Sequence, residues 1–159
     1  MNQRQSGGSR FQSALWTFLL FTLVGPFVAA IAAALYTPVA IWANVAPFTV
    51  GDHAPYDVSN LPDASGIMQL MAASAISTFV WTPVAAAIAA AGLAGLILAE
   101  REFGWAMGGI AAILGFWVTY VVAPFDAGDL LPVFAAAAGA IGAALVVSLR
   151  ALRVLPATA

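Results

Sequence analysis

The sequence contains no cysteine and no lysine, and only 8% of its residues are charged. Without cysteine the chain has no disulfides, no thiolate metal sites and no cysteine nucleophile. Five scattered arginines form no basic stripe, so nothing supports binding to nucleic acid. Soluble domains carry about 25% charged residues. This sequence has about a third of that fraction, which is too few charged side chains to cover a surface that faces water. The scarcity of charge therefore excludes an ordinary soluble protein.

What the sequence has instead is apolar surface, with 63% hydrophobic residues and a mean hydropathy of +0.98. Four apolar runs each approach the roughly 20 residues that a membrane-spanning helix needs. They cover residues 15–36, 81–99, 105–122 and 131–149. In hydrocarbon their backbone must bond internally, and they lack the alternation of barrel strands. The sequence therefore predicts an all-α membrane protein, with a single four-helix domain over residues 11–155, a disordered tail over 1–10 and a short tail over 156–159.

The charged residues predict how these helices cross the membrane. All five arginines fall on one side of the predicted spans, together with both glutamates. All five aspartates and the only histidine fall on the other side. Because positive loops stay in the cytoplasm, both termini are predicted to be cytoplasmic, so the two helical hairpins point the same way. The alanine-rich, lysine-free composition suggests a bacterium, and hence its inner membrane.

A repeated octet suggests that the two hairpins arose by duplication. Residues 45–52 read Val-Ala-Pro-Phe-Thr-Val-Gly-Asp, and residues 122–129 read Val-Ala-Pro-Phe-Asp-Ala-Gly-Asp. Each octet follows a long apolar run, and proline and glycine suit a helix exit. The alternative is two convergent helix exits in a sequence that uses few residue types. A true duplication would be a parallel repeat, with its axis along the membrane normal.

The hairpins differ in the size of their outer connection. The sequence stays apolar beyond the first two predicted spans, from Tyr36 on to Val45 and from about Gly66 to Trp81. Apolar stretches of this total length are too long for a bilayer, even with tilt. One solution places the Tyr36-Thr37-Pro38 and Trp81-Thr82-Pro83 stretches at the outer headgroup level, with residues 37–80 forming an extracytoplasmic cap. The alternative is two long helices, kinked at the prolines and continuous with the cap. Either way, the apolar cap needs something to pack against.

Two further patterns concern contacts between helices. Small residues recur at helical spacing in the second, third and fourth spans, around Gly92, Gly108 and Gly142. Such faces allow close helix packing in lipid, and spare faces allow association with other chains. The predicted second helix also carries a stripe of hydroxyl side chains, formed by Ser74, Ser77, Thr78 and Thr82. Its hydroxyls either bond to their own or a neighbouring helix or line a pathway.

The sharpest polar constellation lies on the outer side. If the two octet turns meet, Asp52 and Asp129 could hold a hard cation such as Ca²⁺, while Asp52, His53 and Asp129 could hold a transition metal. The alternative is that the outer aspartates are solvated helix caps and topology signals. Asp63, followed by Ser65 and Gly66, has the pattern of an N-cap.

No motif for catalysis is present. The predicted spans contain no ionisable residue at mid-depth, and the sequence has no metalloprotease pair and no phosphate loop. We therefore expect no enzymatic activity and no cofactor. The first hypothesis is a non-catalytic membrane subunit that scaffolds or stabilises a larger complex, with lipids and other membrane subunits or copies of itself as partners. The alternative is an oligomeric transporter or channel component with an acidic outer mouth that concentrates cations.

Overall fold

The computed structural model describes residues 7–49, 62–124 and 131–155, and it describes side chains only from residue 9 to residue 41 in the first of these ranges. Within these ranges every regular element is helical and no strand occurs. The elements are α1 (Gly7–Leu19), a π-helical segment (Leu20–Val24), α2 (Gly25–Thr49), α3 (Ala64–Leu98), α4 (Trp105–Val122) and α5 (Leu131–Ala151). The first three run on without a break and form one long helix over residues 7–49.

Four of these helical stretches are long and apolar enough to cross a membrane. They are Ser9–Ile41, Ala64–Leu98, Trp105–Val122 and Leu131–Ala151. The prediction of an all-helical chain with four membrane-spanning helices is confirmed at this level. Helix α4 begins at the predicted residue, Trp105, and the described part of α5 begins at the predicted residue, Leu131.

The first two helices are longer than the predicted spans. The first begins at Gly7, inside the segment 1–10 that was expected to be disordered, and residues 1–6 lie outside the described residues. Residues 37–49 and 64–80, which belong to the predicted cap, continue α2 and α3 as regular helix. For these residues the alternative of two long helices describes the structure. We call residues 37–49 and 64–80 together the arm.

The helices pack as a bundle in which α3 and α5 are not neighbours. Helix α3 packs against α1, α2 and α4, while α4 packs against α5. The ring closes where α5 meets α2 and the π-helical segment, over a shorter stretch than the other contacts. Its core holds a cluster of fully buried side chains, which includes Phe21, Leu93, Val146 and Leu149. The contact between α2 and α5 is therefore the least extensive one in the ring.

Pro26 and Pro83 are two of the prolines that lie within the long helices. Before Pro26 the chain forms the π-helical segment, and the N–H of Gly25 points to the carbonyls of both Leu20 and Phe21. A wider turn at this point accommodates the ring of Pro26, which would otherwise clash with the preceding turn. In α3, Pro83 lies inside the helix, and the hydroxyl of Thr82 donates to the Thr78 carbonyl at 2.7 Å. The ring of Pro26 is thus accommodated by a π-turn.

Glycines bring α4 and α5 into backbone contact. A Cβ atom added to Gly109 would lie 3.0 Å from the Gly139 carbonyl, and one added to Gly108 would lie 2.7 Å from the Gly142 carbonyl. On the other side of α4, Gly115 faces the Ala85 carbonyl of α3 in the same way. Without a hydrophobic driving force in lipid, such close packing is what holds helices together. The small-residue faces of the third and fourth spans are therefore used within the bundle.

The small-residue face around Gly92 on α3 is not packed against another described helix. Gly92 and Gly95 are exposed, and a Cβ added to either would meet nothing within 4 Å. Ala91 beside them is exposed too. This face of α3 therefore remains open in the single chain.

The two octets sit differently relative to their helices. Val122, the first residue of the second octet, is the last residue of α4. In the first octet, by contrast, α2 continues to Thr49, the fifth residue. Ala123 and Pro124 follow α4 outside regular helix, whereas residues 50–52 and 125–129 of the octets lie outside the described residues. The duplication stays a prediction.

Candidate functional site

The predicted cation site lies outside the described residues. Asp52, His53 and Asp129 all fall in the two connections, 50–61 and 125–130, that the structure does not describe. Among residues 7–49, 62–124 and 131–155, no group of three histidine or acidic side chains is arranged to hold a metal ion. The cation site therefore remains a prediction from the sequence.

One end of the bundle carries all the described charged residues except Asp63. Arg10 forms an ion pair with Glu100, which links the start of the first long helix to the connection between α3 and α4. Arg150 donates to the carbonyl of Phe103, and the Ser13 hydroxyl donates to the Val154 carbonyl at 2.8 Å. These three contacts tie α1, the α3–α4 connection and the end of α5 together. We call this the charged end.

The opposite end of α4 is marked by aromatic side chains. The indole N–H of Trp81 donates to the Ala123 carbonyl at 3.0 Å, which satisfies an acceptor just past the last turn of α4. Trp81 also meets Phe116 edge-on, with ring centroids 5.2 Å apart, and Phe116 stacks with Tyr120. Because tryptophan and tyrosine favour the headgroup level, this cluster gives α4 a boundary. We call this the Trp81 end.

A small cavity lies between the helices in the middle of the bundle. Its volume is about 60 Å³, and residues of all four long helices line it. Its wall is formed mainly by small residues, among them Gly25, Ala86, Ala112, Ala138 and Gly142. Its one hydroxyl belongs to Thr82, which donates to a carbonyl of its own helix. The cavity is therefore apolar.

The hydroxyl stripe of the second span is engaged in bonds within the bundle where the structure gives its partners. The Thr82 hydroxyl bonds back to its own helix, as stated above. The Thr37 hydroxyl donates to the Ala33 carbonyl and forms a second hydrogen bond with the Ser74 hydroxyl, each at 3.0 Å. The interhelical Thr37–Ser74 bond joins α2 to α3 within the arm, and bonds of this kind contribute on average about 0.6 kcal/mol in membrane proteins. These contacts agree with the structural interpretation of the stripe.

The arm extends well past the Trp81 end. Seventeen residues of α3 precede Trp81, which corresponds to about 25 Å of helix at 1.5 Å per residue. No charged residue occurs in residues 37–49 or 64–80. Several large side chains are nevertheless exposed, including Met68 at 69%, Ile76 at 65% and Val80 at 72%. The arm is thus an uncharged helical surface that the described part of the chain leaves uncovered.

Asp63 caps the tip of the arm, as its sequence pattern predicted. Its carboxylate accepts from the Gly66 N–H at 2.7 Å and from the Ser65 hydroxyl at 2.9 Å. These two bonds, the first above all, hold the pKa of Asp63 below its ordinary value. Since the pKa is lowered in the folded state, the stabilisation is present above the ordinary pKa and is lost as the pH falls through the lowered one.

We therefore expect the start of α3 to fray in acid, because a protonated Asp63 is a weaker acceptor for the Gly66 N–H. Hydrogen exchange measured over residues 64–67 should become faster, relative to an Asp63→Asn variant, as the pH falls below the ordinary range of an aspartate. The asparagine caps the helix without titrating and is the matched control. Parallel pH profiles of the two proteins would contradict the role of the carboxylate.

Some contacts at both ends of the bundle were missed from the sequence alone. The bond from Trp81 to Ala123 and the ion pair between Arg10 and Glu100 join positions far apart in the chain. The only sequence signals were the aromatic residue before Thr82-Pro83 and the shared side of the arginines and glutamates. Those signals indicate depth in the membrane, but they do not specify partners.

By the length and composition of its helices, the chain belongs to the class of multi-pass membrane proteins. No protein-family model, curated protein or solved structure matches it. Its function must therefore be argued from its own surfaces.

Proposed function

We propose that this chain is a non-catalytic integral membrane subunit that stabilises a larger membrane complex by holding a partner subunit on its arm. The observation that supports the proposal is the apolar surface of the arm that the described residues leave uncovered, beyond the level at which α4 ends. Helix α4, of 18 residues, is about 27 Å long and matches the hydrocarbon thickness. The arm continues for about 25 Å beyond it, farther than a bilayer of that thickness reaches. An uncharged surface at that height needs another protein to cover it.

The open glycine face of α3 supports the same proposal. Gly92 and Gly95 lie in the half of α3 that packs beside α4 within the bundle, and glycine inside a helix costs about 1 kcal/mol relative to alanine. In the single chain no close neighbour accounts for that cost. A helix of a partner subunit that packs on this face would account for it. The two open surfaces lie on the same helix, so one partner could contact both.

The proposed orientation places the charged end in the cytoplasm and the arm outside. Four described arginines, Arg10, Arg101, Arg150 and Arg153, belong to the charged end, and the arm has none. The arginine bias predicts this orientation in a bacterial inner membrane. The orientation is independent of what the arm binds.

The absence of cysteine makes the orientation directly measurable. Single variants Ala64→Cys, at the tip of the arm, and Glu102→Cys, at the charged end, both replace exposed side chains. In intact spheroplasts a membrane-impermeant maleimide should label the first variant and should leave the second unlabelled until the membrane is permeabilised. The cysteine-free parent is the blank. The reverse labelling pattern would overturn the proposed orientation.

The subunit role is tested by purifying the tagged protein from its own membranes in mild detergent. We expect a protein partner in fixed stoichiometry, and we expect the double variant Met68→Ala, Ile76→Ala in the arm to lose it. The matched control is Leu114→Ala, Val118→Ala, which shortens two exposed apolar side chains on α4. Retention by the arm variant would contradict the proposal. A homo-oligomer that conducts cations in liposomes would favour the channel alternative instead.

A further inference from the structure

We propose that the central cavity receives the methyl end of a lipid hydrocarbon chain, which enters the bundle from the leaflet on the Trp81 side. This inference is independent of the subunit role and of the partner that the arm binds. It rests on the position of the cavity, on the residues that form its floor and mouth, and on the chemistry of its wall.

The cavity lies at mid-depth of the membrane-spanning region. Ala112 lines it, and this residue is near the middle of α4, which extends from Trp105 to Val122. The Gly115 position, one turn further along α4, contacts Ala85 of the cavity wall. At this depth the surrounding solvent is the terminal part of lipid chains. The available occupant is therefore a chain end and not a headgroup.

Burial shows which side of the cavity is closed. Its floor towards the charged end consists of Phe21, Ala89 and Leu145, which are all buried. Two turns closer to the Trp81 end, on the same three helices, Ala29, Thr82 and Ala138 are only half-buried. The cavity is therefore closed towards the charged end and accessible towards the Trp81 end. Access lies between α2 and α5, which contact each other less extensively than the other neighbouring helices do.

The wall selects hydrocarbon over water. A buried water needs two to four polar partners, and the one hydroxyl of the wall, on Thr82, already donates to the Thr78 carbonyl. Water does not occupy an apolar cavity of this kind. The atoms of an empty wall lack dispersion contacts on one side, and a hydrocarbon group in the cavity would provide them. A volume of about 60 Å³ is several times the roughly 10–15 Å³ that one water molecule needs by the same measure, so the cavity has room for the end of a hydrocarbon chain.

The π-helical segment shapes this wall. Phe21, within the segment, forms part of the floor, and Gly25, directly after it, forms part of the side. The nearest side-chain atom to a Cβ built on Gly25 would be the Leu145 Cδ1 atom, at 3.5 Å. π-turns inside α-helices are frequently found at functional sites. Here the π-turn lies beside the space that the four helices leave between them.

Photolabelling of the full chain in vesicles of phosphatidylethanolamine and phosphatidylglycerol tests this proposal. One phospholipid probe carries a diazirine at the end of its acyl chain, and a second carries it near the carboxyl group. After irradiation, mass spectrometry locates the labelled residues. We expect the chain-end probe to label the floor and wall at Phe21, Ala86 and Ala89, and we expect the carboxyl-proximal probe to leave them unlabelled.

A filling variant and a matched control make the test decisive. Ala138→Leu places a side chain in the mouth, and labelling of the floor should be lost. Ala140→Leu, two residues away on an exposed face of α5, should leave it unchanged. In both variants the exposed side chains of Leu114 and Val118 should be labelled as in the parent, which verifies the fold. If Ala138→Leu does not fold, Ala86→Leu fills the cavity from α3.

Two results would overturn the proposal: floor labelling that persists in the filled variant, or labelling confined to the exposed residues in the parent. The source of the hydrocarbon is determined by competition. An unlabelled isoprenoid alcohol that displaces the chain-end probe better than unlabelled phospholipid, at equal mole fraction, identifies an isoprenoid chain. Equal displacement identifies an ordinary acyl chain.

Discussion

Alanine in place of Gly142 or Gly108 should force α4 and α5 apart and destabilise the bundle. A Cβ at Gly142 would lie 2.5 Å from the Ala112 Cβ, and one at Gly108 would lie 2.7 Å from the Gly142 carbonyl. Neither obstacle is the flexible end of a side chain, so the helix backbones must move. Overpacking of this kind costs about 1–3 kcal/mol.

The matched controls are the same substitution at Gly92 and Gly95. These glycines are exposed, and an added Cβ would meet nothing within 4 Å. Alanine there should be neutral or should raise stability by up to about 1 kcal/mol, through helix propensity alone. Thermal or SDS-induced unfolding of the four single variants in one detergent gives the comparison. Equal stability at all four positions would show that the α4–α5 contact is not as close as described.

Truncation of Leu93 to alanine should be the most damaging change in the core. Leu93 is completely buried and belongs to the core cluster with Phe21 and Leu149. In soluble proteins a buried leucine truncated to alanine costs about 2–5 kcal/mol, as the sum of a transfer term and a cavity term. In lipid the transfer term is small, because the unpacked side chain returns to hydrocarbon. We therefore expect a cost near the lower limit, of about 2 kcal/mol.

Leu98→Ala is the control for this prediction. Leu98 lies five residues further along the same helix and is 54% exposed, so its side chain contacts lipid instead of the core. Its removal should leave the unfolding midpoint close to that of the parent. Alanine is the better helix former, so helix propensity cannot cause a loss at either position. A similar loss from both variants would contradict the packing of Leu93 in the core.

Much of the helical architecture follows from the sequence, because lipid imposes strict rules on a backbone. The apolar runs at 105–122 and 131–149 predict α4 and α5 closely, since charged or proline-containing connections interrupt hydrophobicity there. The Asp63 cap also follows from a local pattern of three residues. These features depend on nearest neighbours and on the solvent, which a sequence specifies directly.

The extent of the first two helices was harder to predict. Residues 37–49 and 64–80 are apolar enough for a cap or for a helix, and hydropathy does not separate the two. The glycine pairing was predictable for α4 and α5, but the same motif on α3 proved to be unused within the chain. Which small-residue face meets which helix depends on tertiary contacts, for example that of Gly115 with Ala85. Asp52, His53 and Asp129 lie outside the described residues, and the cation site therefore remains a sequence prediction.

The π-turn at Leu20–Val24 fixes how the two parts of the first long helix face the bundle. Each residue of an α-helix advances by about 100° around the axis, so the additional residue of a wider turn offsets everything before it by that angle. Thr17 before the turn and Ala30 after it are both buried. The number of residues between them is consequently a constraint in its own right. A single deletion or insertion there would rotate the buried residues on one side of the turn away from the bundle, whatever residue types remained.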